Sequence, residues 1–190
     1  MELLRTPRLL LRRWQNDDLA AYYAIYSQWE VMRWLGAPPR RAVTDLAEAR
    51  ERLARWHHRE AGLTPPLGFW ALQPLSEAAG PVGTVLLLPL HDDQGVTGQI
   101  EIGWHLHPAY QKQGLVTEAA NAVLNAAETA GISTVLALTD PDNTASQAVA
   151  RRLGMAEQGM TDRWFNITTR QFARAANHPS STEAARPDQS

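Results

Sequence analysis

Three stretches of the chain carry side chains whose types and spacing could do chemistry. The first is Gln111-Lys112-Gln113-Gly114, a polar, glycine-ended loop that runs straight into an alanine-rich helical pattern. The first N–H groups of a helix have no partner within it and carry a partial positive charge. Gln111, Lys112, Gln113, Gly114, Leu115, Val116 and Thr117 together therefore make a candidate anion cradle, suited to a pyrophosphate. Gly114 lets the backbone come close, and Lys112 adds a full charge at the rim. The Gly-Lys-Ser/Thr ending of a Walker loop and the spacing G-x-G-x-x-G are both missing. A plain loop and helix start is the competing reading.

The second stretch is DPDNTASQAVARRLGM, residues 140–155, where Asn143 reads as a helix N-cap, Ser146 as a first-turn hydroxyl and Gly154 as the helix stop. The third holds Glu101 and His105. Strand side chains alternate, so in an unbulged strand Glu101, Gly103 and His105 share one face. His105 then reads either as a second base or as a structural histidine. His57 and His58 fall near a helix end and read as solvated, and without an H-E-x-x-H spacing no metal site is expected. The seven tryptophans read as core or pocket lining, with Trp70 and Trp104 as candidates for contact with a substrate.

These groups need elements to hold them. Residues 8–14 predict a leucine-rich strand ended by Gln15, Asn16, Asp17 and Asp18, which cap a helix through about Ser27 with Leu19, Tyr22, Tyr23 and Tyr26 at helical spacing. A second helix opens near Thr44, with Leu46, Leu53 and Trp56 on one stripe and charges elsewhere. Residues 67–74 and 82–90 predict paired strands joined through Gly80-Pro81, and 92–95 a further turn. Residues 99–107 are a strand ended by Pro108. A helix follows from about Gly114 to Ala130, facing Leu115, Ala119, Val123 or Leu124, and Ala127 to the core. Residues 133–139 are an apolar strand and 144–153 a short helix; the weak pattern up to Phe172 allows one or two more strands. Residues 1–175 read as a single domain and 176–190 as a disordered tail. Early strands followed by a strand–helix–strand–helix run indicate a mixed α/β sheet.

Bulk composition narrows the partners. With 18 basic and 20 acidic side chains among 190 residues, there is no general attraction to nucleic acid or anionic membrane, so any phosphate site must be local. The absence of cysteine excludes disulfides, thiolate metal sites and a cysteine nucleophile. MELLRTPRLLLRRW does not read as a signal peptide, and no apolar run approaches a membrane span. A cytoplasmic protein is expected.

Taken in order, four segments resemble the GNAT acetyltransferases, and within them the ribosomal-protein N-terminal acetyltransferase branch. RTPRLLLRRWQNDDLAAYYAIYSQWEVMRWLG is similar to that branch's opening strand and helix, and PVGTVLLLPL to its third strand. EIGWHLHPAYQKQGLVTEAA resembles its acetyl-CoA strand and loop, and DPDNTASQAVARRLGM its N-x-x-S helix. The resemblance implies an α/β fold with a mixed central sheet of about six to seven strands and flanking helices, in which strands 99–107 and 133–139 splay apart. It implies acetyl-CoA as co-substrate, with pantetheine along the free strand edge near Leu106 and His107. The pyrophosphate would lie over residues 111–117, Asn143 beside the pantetheine and Ser146 near the sulfur. Glu101 is the candidate base, acting through water, and Ser146 is the other candidate catalytic group.

The chain departs from the family in three places. Val116 stands where the loop usually ends in Ala or Gly; Ala150 stands where many members carry a tyrosine general acid, which leaves that role to Ser146 or water; and DRWFNITTRQFARA is short and polar for the last strands. The function implied is acetyl transfer from acetyl-CoA to a primary amine, of a protein N-terminus or a small molecule, by direct attack in a ternary complex. The alternatives are a non-catalytic acyl-CoA-binding or regulatory module, and an unrelated interaction domain with no coenzyme site. Monomer and homodimer both stay open.

Overall fold

The computed structural model describes residues 3–76, 80–92 and 95–176. Its centre is one eight-stranded sheet with strand order β1-β2-β3-β4-β5-β6-β8-β7. In chain order the strands are β1 (Leu4–Arg5), β2 (Leu9–Arg13), β3 (Gly68–Pro74), β4 (Gly83–Asp92), β5 (Gly95–Leu106), β6 (Thr134–Thr139), β7 (Ala156–Thr161) and β8 (Thr169–Ala175). The helices are α1 (Leu19–Tyr26), α2 (Trp29–Met32), α3 (Leu46–Glu60), α4 (Leu115–Thr129) and α5 (Thr144–Arg152). The fold class expected from the sequence holds, with eight strands instead of six or seven. The surplus comes from the two-residue β1 and from the polar segment before Phe172 resolving into both β7 and β8.

The strands form because their apolar residues alternate or run continuously, and each buried face is covered. Val85, Leu87, Ile102 and Leu106 point to one side and pack on Leu115, Ala119, Val123, Leu124 and Ala127 of α4. The stripe expected on this helix is buried, and both Val123 and Leu124 belong to it. On the other side Phe69, Ala71 and Leu88 meet Tyr22, Ile25 and Tyr26 of α1 and Ala49 and Leu53 of α3. Burying a side chain of this size stabilises the fold by about 1.5–3 kcal/mol each before chain entropy is counted. Leu46, placed by sequence on the buried stripe of α3, is instead half exposed at the first position of the helix, and Ala49 takes its place.

Polar residues hold the ends. The Asp18 carboxylate accepts from Gln15 N at 2.8 Å and also receives both terminal nitrogens of Arg12, at 2.6 and 2.8 Å. Asp45 caps α3 and Asn143 caps α5 by accepting from the backbone N–H groups of Glu48 and Ser146. Gly131 and Gly154 close α4 and α5 with positive φ. His57, expected to be solvated, instead bonds the Trp14 carbonyl through Nε2 at 3.1 Å. Of the expected turn at 92–95 only the ends are described, as the facing pair Asp92 and Gly95. The expected tail lies outside the described residues beyond Ala176.

The sheet is antiparallel except between β5 and β6, and that junction opens the site. β5 is paired with β4 along its length, but meets β6 only at Ile100–Val135 and Glu101–Leu136. Past Glu101 the two strands part, leaving Ile102 to Leu106 with no strand on that side.

Candidate active site

The gap between β5 and β6 is the floor of a cavity of about 1390 Å³. One end is bounded by the loop before α4 and by the start of α5; the other reaches α1, α2 and α3.

The end at α4 is built mainly of backbone. Gly114 is the N-cap of α4 in a left-handed conformation, φ 77°, and no side chain caps the helix. The N–H groups of Leu115, Val116 and Thr117 precede the first intrahelical bond, which Glu118 donates to the Gly114 carbonyl at 3.0 Å. Lys112 also has positive φ, 62°, so the loop turns twice within three residues. Glu118, the acid of the first turn, would compete with an incoming anion, but its carboxylate is drawn away. It accepts from Thr6 Oγ1 at 2.6 Å, Arg8 N at 3.0 Å and Arg8 Nε at 2.6 Å. Burial alone would raise its pKa, and these bonds outweigh it and hold the pKa down. Arg8 Nη1 also donates to the Gln113 carbonyl at 2.9 Å, tying the loop to the segment before β2.

Across the gap, Asn143 Oδ1 accepts from Ser146 N at 3.1 Å, and both residues line the cavity. Buried Gln147 donates to the Pro141 carbonyl at 2.8 Å and fixes the preceding turn. Arg40 closes this turn from outside through Asp140 at 2.7 Å. Ala150 is wholly buried in the core, so no hydroxyl could reach the cavity from that position without repacking.

The other end is made of side chains from distant segments. Leu88, Leu86 and Thr84 of β4 face Glu101, Gly103 and His105 in register, so the latter three share the face turned to α1 and α3. The expected common face of Glu101 and His105 is therefore present. Surrounding protein desolvates Glu101 while part of its surface stays open to the cavity; its pKa is pushed up to about 8, with the Arg59 charge acting the other way. Its carboxyl takes no hydrogen bond among the described residues. His105 is pushed down to about 4 by burial, so its ring is neutral at pH 7. Its Nδ1 lies 3.0 Å from the Tyr26 hydroxyl, which lies 2.8 Å from Thr84 Oγ1. Burial raises the Tyr26 pKa well above its ordinary value, so the phenol also stays neutral. Trp56 stacks on Phe69 at 4.2 Å and meets Tyr22 edge-on, giving this end an aromatic wall.

Of the residues singled out by sequence, Glu101, Leu106, Gln111, Lys112, Gly114, Leu115, Val116, Thr117, Asn143 and Ser146 all line this one cavity. His107 and Gln113 do not. The His107 N–H is already donated to the Val82 carbonyl at 2.9 Å and its ring accepts from Ala109 N, while Gln113 turns toward Arg8 and the Ala109 carbonyl. Val116 packs its side chain into the core at the cavity wall. Trp104 lines the cavity with its indole N–H buried and unpartnered among the described residues. Trp70 is sealed in the core on the α4 side, donating to the Pro66 carbonyl at 2.9 Å; it does not touch the cavity, because strand alternation turns it away. Sequence reasoning missed Tyr26, Arg52, Arg55 and Arg59. The only available signal was the recurrence of arginine at helical spacing on the polar side of α3.

Comparisons with known proteins agree with this architecture. Residues 8–156 match the family model described as the acetyltransferase (GNAT) domain. The uncharacterized N-acetyltransferase YoaA of Bacillus subtilis (strain 168) is 24% identical over 161 residues, covering 83% of this chain and 85% of that protein. An acetyltransferase of the GNAT family from Bacillus anthracis superposes with a TM-score of 0.74 at 20% identity, over 93% of this chain and 100% of that one. RimL, a ribosomal L7/L12 alpha-N-protein acetyltransferase solved with coenzyme A, gives a TM-score of 0.72 at 18% identity, over 93% and 99%.

Proposed function

The chain belongs to the GNAT acetyltransferase family, and from that premise we propose that it moves an acetyl group from acetyl-CoA to a primary amine by direct attack in a ternary complex. What carries this reading is one continuous cavity that joins an uncapped helix start, an unpaired strand edge and a carboxyl whose pKa is raised to about 8. The N–H groups of residues 115–117 take the pyrophosphate, with Lys112 at the rim. The pantetheine extends β5 along the side left open past Glu101, as an added strand does.

The amine nitrogen attacks the thioester carbonyl carbon. A C–N bond forms and the C–S bond breaks; one ammonium proton has gone to ionised Glu101, directly or through one water, before attack, and the proton the nitrogen sheds on forming the amide passes through water to the thiolate, to which Ser146 donates a hydrogen bond. Products are the N-acetyl amide and coenzyme A. A carboxyl with a pKa of about 8 matches an α-amino group at about 7.7–8.0, so the transfer is nearly thermoneutral. A lysine amine at about 10.4 is uphill by about 3 kcal/mol with the same base. An α-amine is therefore the better acceptor.

Because the protein has no cysteine, every free thiol released in an assay comes from coenzyme A. A panel of primary amines incubated with acetyl-CoA and read by free thiol should show turnover. Calorimetry should show one acetyl-CoA site per chain, with a rise in melting temperature on binding. Binding without turnover on any amine would favour the non-catalytic module, and neither binding nor turnover would remove the whole reading.

A further inference from the structure

From the cationic wall of the cavity we infer that the acceptor is an amine bearing an anionic group, a carboxylate or phosphate, held by Arg55 and Arg59 of α3; this rests on the acetyl-transfer reading. Arg52, Arg55 and Arg59 recur at three- and four-residue spacing, so they lie on one face of α3, and all three line the cavity. Arg52 is committed to Glu48 through Nη2 at 2.8 Å. Arg55 and Arg59 have no carboxylate partner among the described residues, and Arg59 lies over the Phe69 ring at 5.5 Å. Arg33, stacked on Trp34 at 4.3 Å, adds a third such guanidinium from the end of α2. The acids lining the cavity are Glu30 and Asp142, both exposed, Asp140, which pairs with Arg40, and Glu101, whose pKa burial pushes up.

A group of guanidinium ions outside any ion pair at the acceptor end has two effects. It repels an ammonium, favouring the neutral amine that attack requires, and it offers planar forks that match carboxylate or phosphate oxygens. A plain cationic amine such as a polyamine is disfavoured on both counts.

The test uses three acceptor pairs, each an anionic amine with its neutral counterpart: glutamate and glutamine amide, an Asp-Glu-containing peptide amide and its Asn-Gln version, and phosphoethanolamine and ethanolamine. The pair with the largest contrast identifies the anion's source. In the wild type at least one anionic member should exceed its counterpart in kcat/KM by about ten-fold or more, as expected for a hydrogen bond to a charged group. An Arg55→Gln, Arg59→Gln double variant with a wild-type melting temperature should bring that ratio toward one. Neutral counterparts used equally well, or a ratio that survives the double variant, would overturn the inference while leaving acetyl transfer intact. If no amine is acetylated, the transferase reading fails by itself. Calorimetry of the best-binding anionic member on the acetyl-CoA-loaded protein then decides: heat lost in the double variant supports the anion site, and no heat in the wild type removes it.

Discussion

The two ends of the cavity are made of different material. At α4 the walls are backbone: left-handed turns at Lys112 and Gly114 and the N–H groups that follow. At α3 they are side chains from α1, α2, α3, β3 and β5, brought together only by the folded sheet. A backbone site tolerates changes of side chain provided the turn survives, and it suits a constant ligand. A side-chain site can be rewritten residue by residue, and it suits a ligand that changes.

The sharpest way to break the comparison is at Glu101, where the two ends meet. Glu101→Gln should lower kcat about a hundred-fold, the usual scale for losing a general base, while acetyl-CoA affinity by calorimetry stays within about two-fold. Wild-type activity should rise with pH through about 8 and the variant should lack that limb. The same carboxyl makes a stability prediction of opposite sense. Its folded pKa lies above the unfolded value, so the stability it contributes below about 4.5 is lost as pH rises to about 8, at up to about 1.4 kcal/mol per pH unit. Melting curves at pH 5 and 9 should show Glu101→Gln gaining on the wild type at the higher pH. A constant gap would mean the carboxyl is already solvated.

Gly114→Val tests the backbone end alone. A β-branched residue at φ 77° costs about 1–3 kcal/mol, and relieving it moves the N–H groups. Acetyl-CoA binding should weaken about ten- to hundred-fold, while the contrast between anionic and neutral acceptors persists at saturating coenzyme. Loss of that contrast would mean that the two ends are not separable.

Smaller effects separate two neighbours at the start of α5. Ser146→Ala should slow turnover roughly ten-fold, since a donor to a thiolate is worth about 1–2 kcal/mol, with little change in melting temperature. Asn143→Ala should cost about 1 kcal/mol of stability through the lost cap, together with weaker coenzyme binding. If both variants lose stability and keep wild-type kinetics, this helix start is only a cap. At His105 the folded pKa lies below the unfolded value, so stability present above about 6.5 should fall as pH drops toward 4. A His105→Gln variant, scanned by thermal melts, should flatten that decline.

The same difference decides what could be read from sequence. The α4 end was legible because residues 111–117 are contiguous and belong to a segment that resembles the family's; the glycine-ended polar loop by itself reads equally as a plain loop and helix start. The α3 end was not. Tyr22 and Tyr26 follow the helical period of a core stripe, and nothing local distinguishes a tyrosine that borders a cavity from one that fills a core. The arginines of α3 read as a solvated face, which they are until the sheet sets β5 opposite them. Trp70 failed as a candidate because its side is set by register with β2 and β4, a non-local property. β7 was legible only as an allowance for one or two more strands before Phe172, because its residues are largely exposed and a bulge between Glu157 and Gly159 interrupts its alternation.

The parting of β5 from β6 has a consequence for self-association. An unpaired strand edge on the rim of a sheet is a template on which another chain can add, and exposed rims are where sheet proteins aggregate. Here the unpaired stretch from Ile102 to Leu106 is not on the rim but inside the sheet, flanked by the first turns of α4 and α5. Such a cleft suits a single slender chain better than the edge of a second sheet. The unpaired edge thus faces a cleft within the sheet and not an exposed rim.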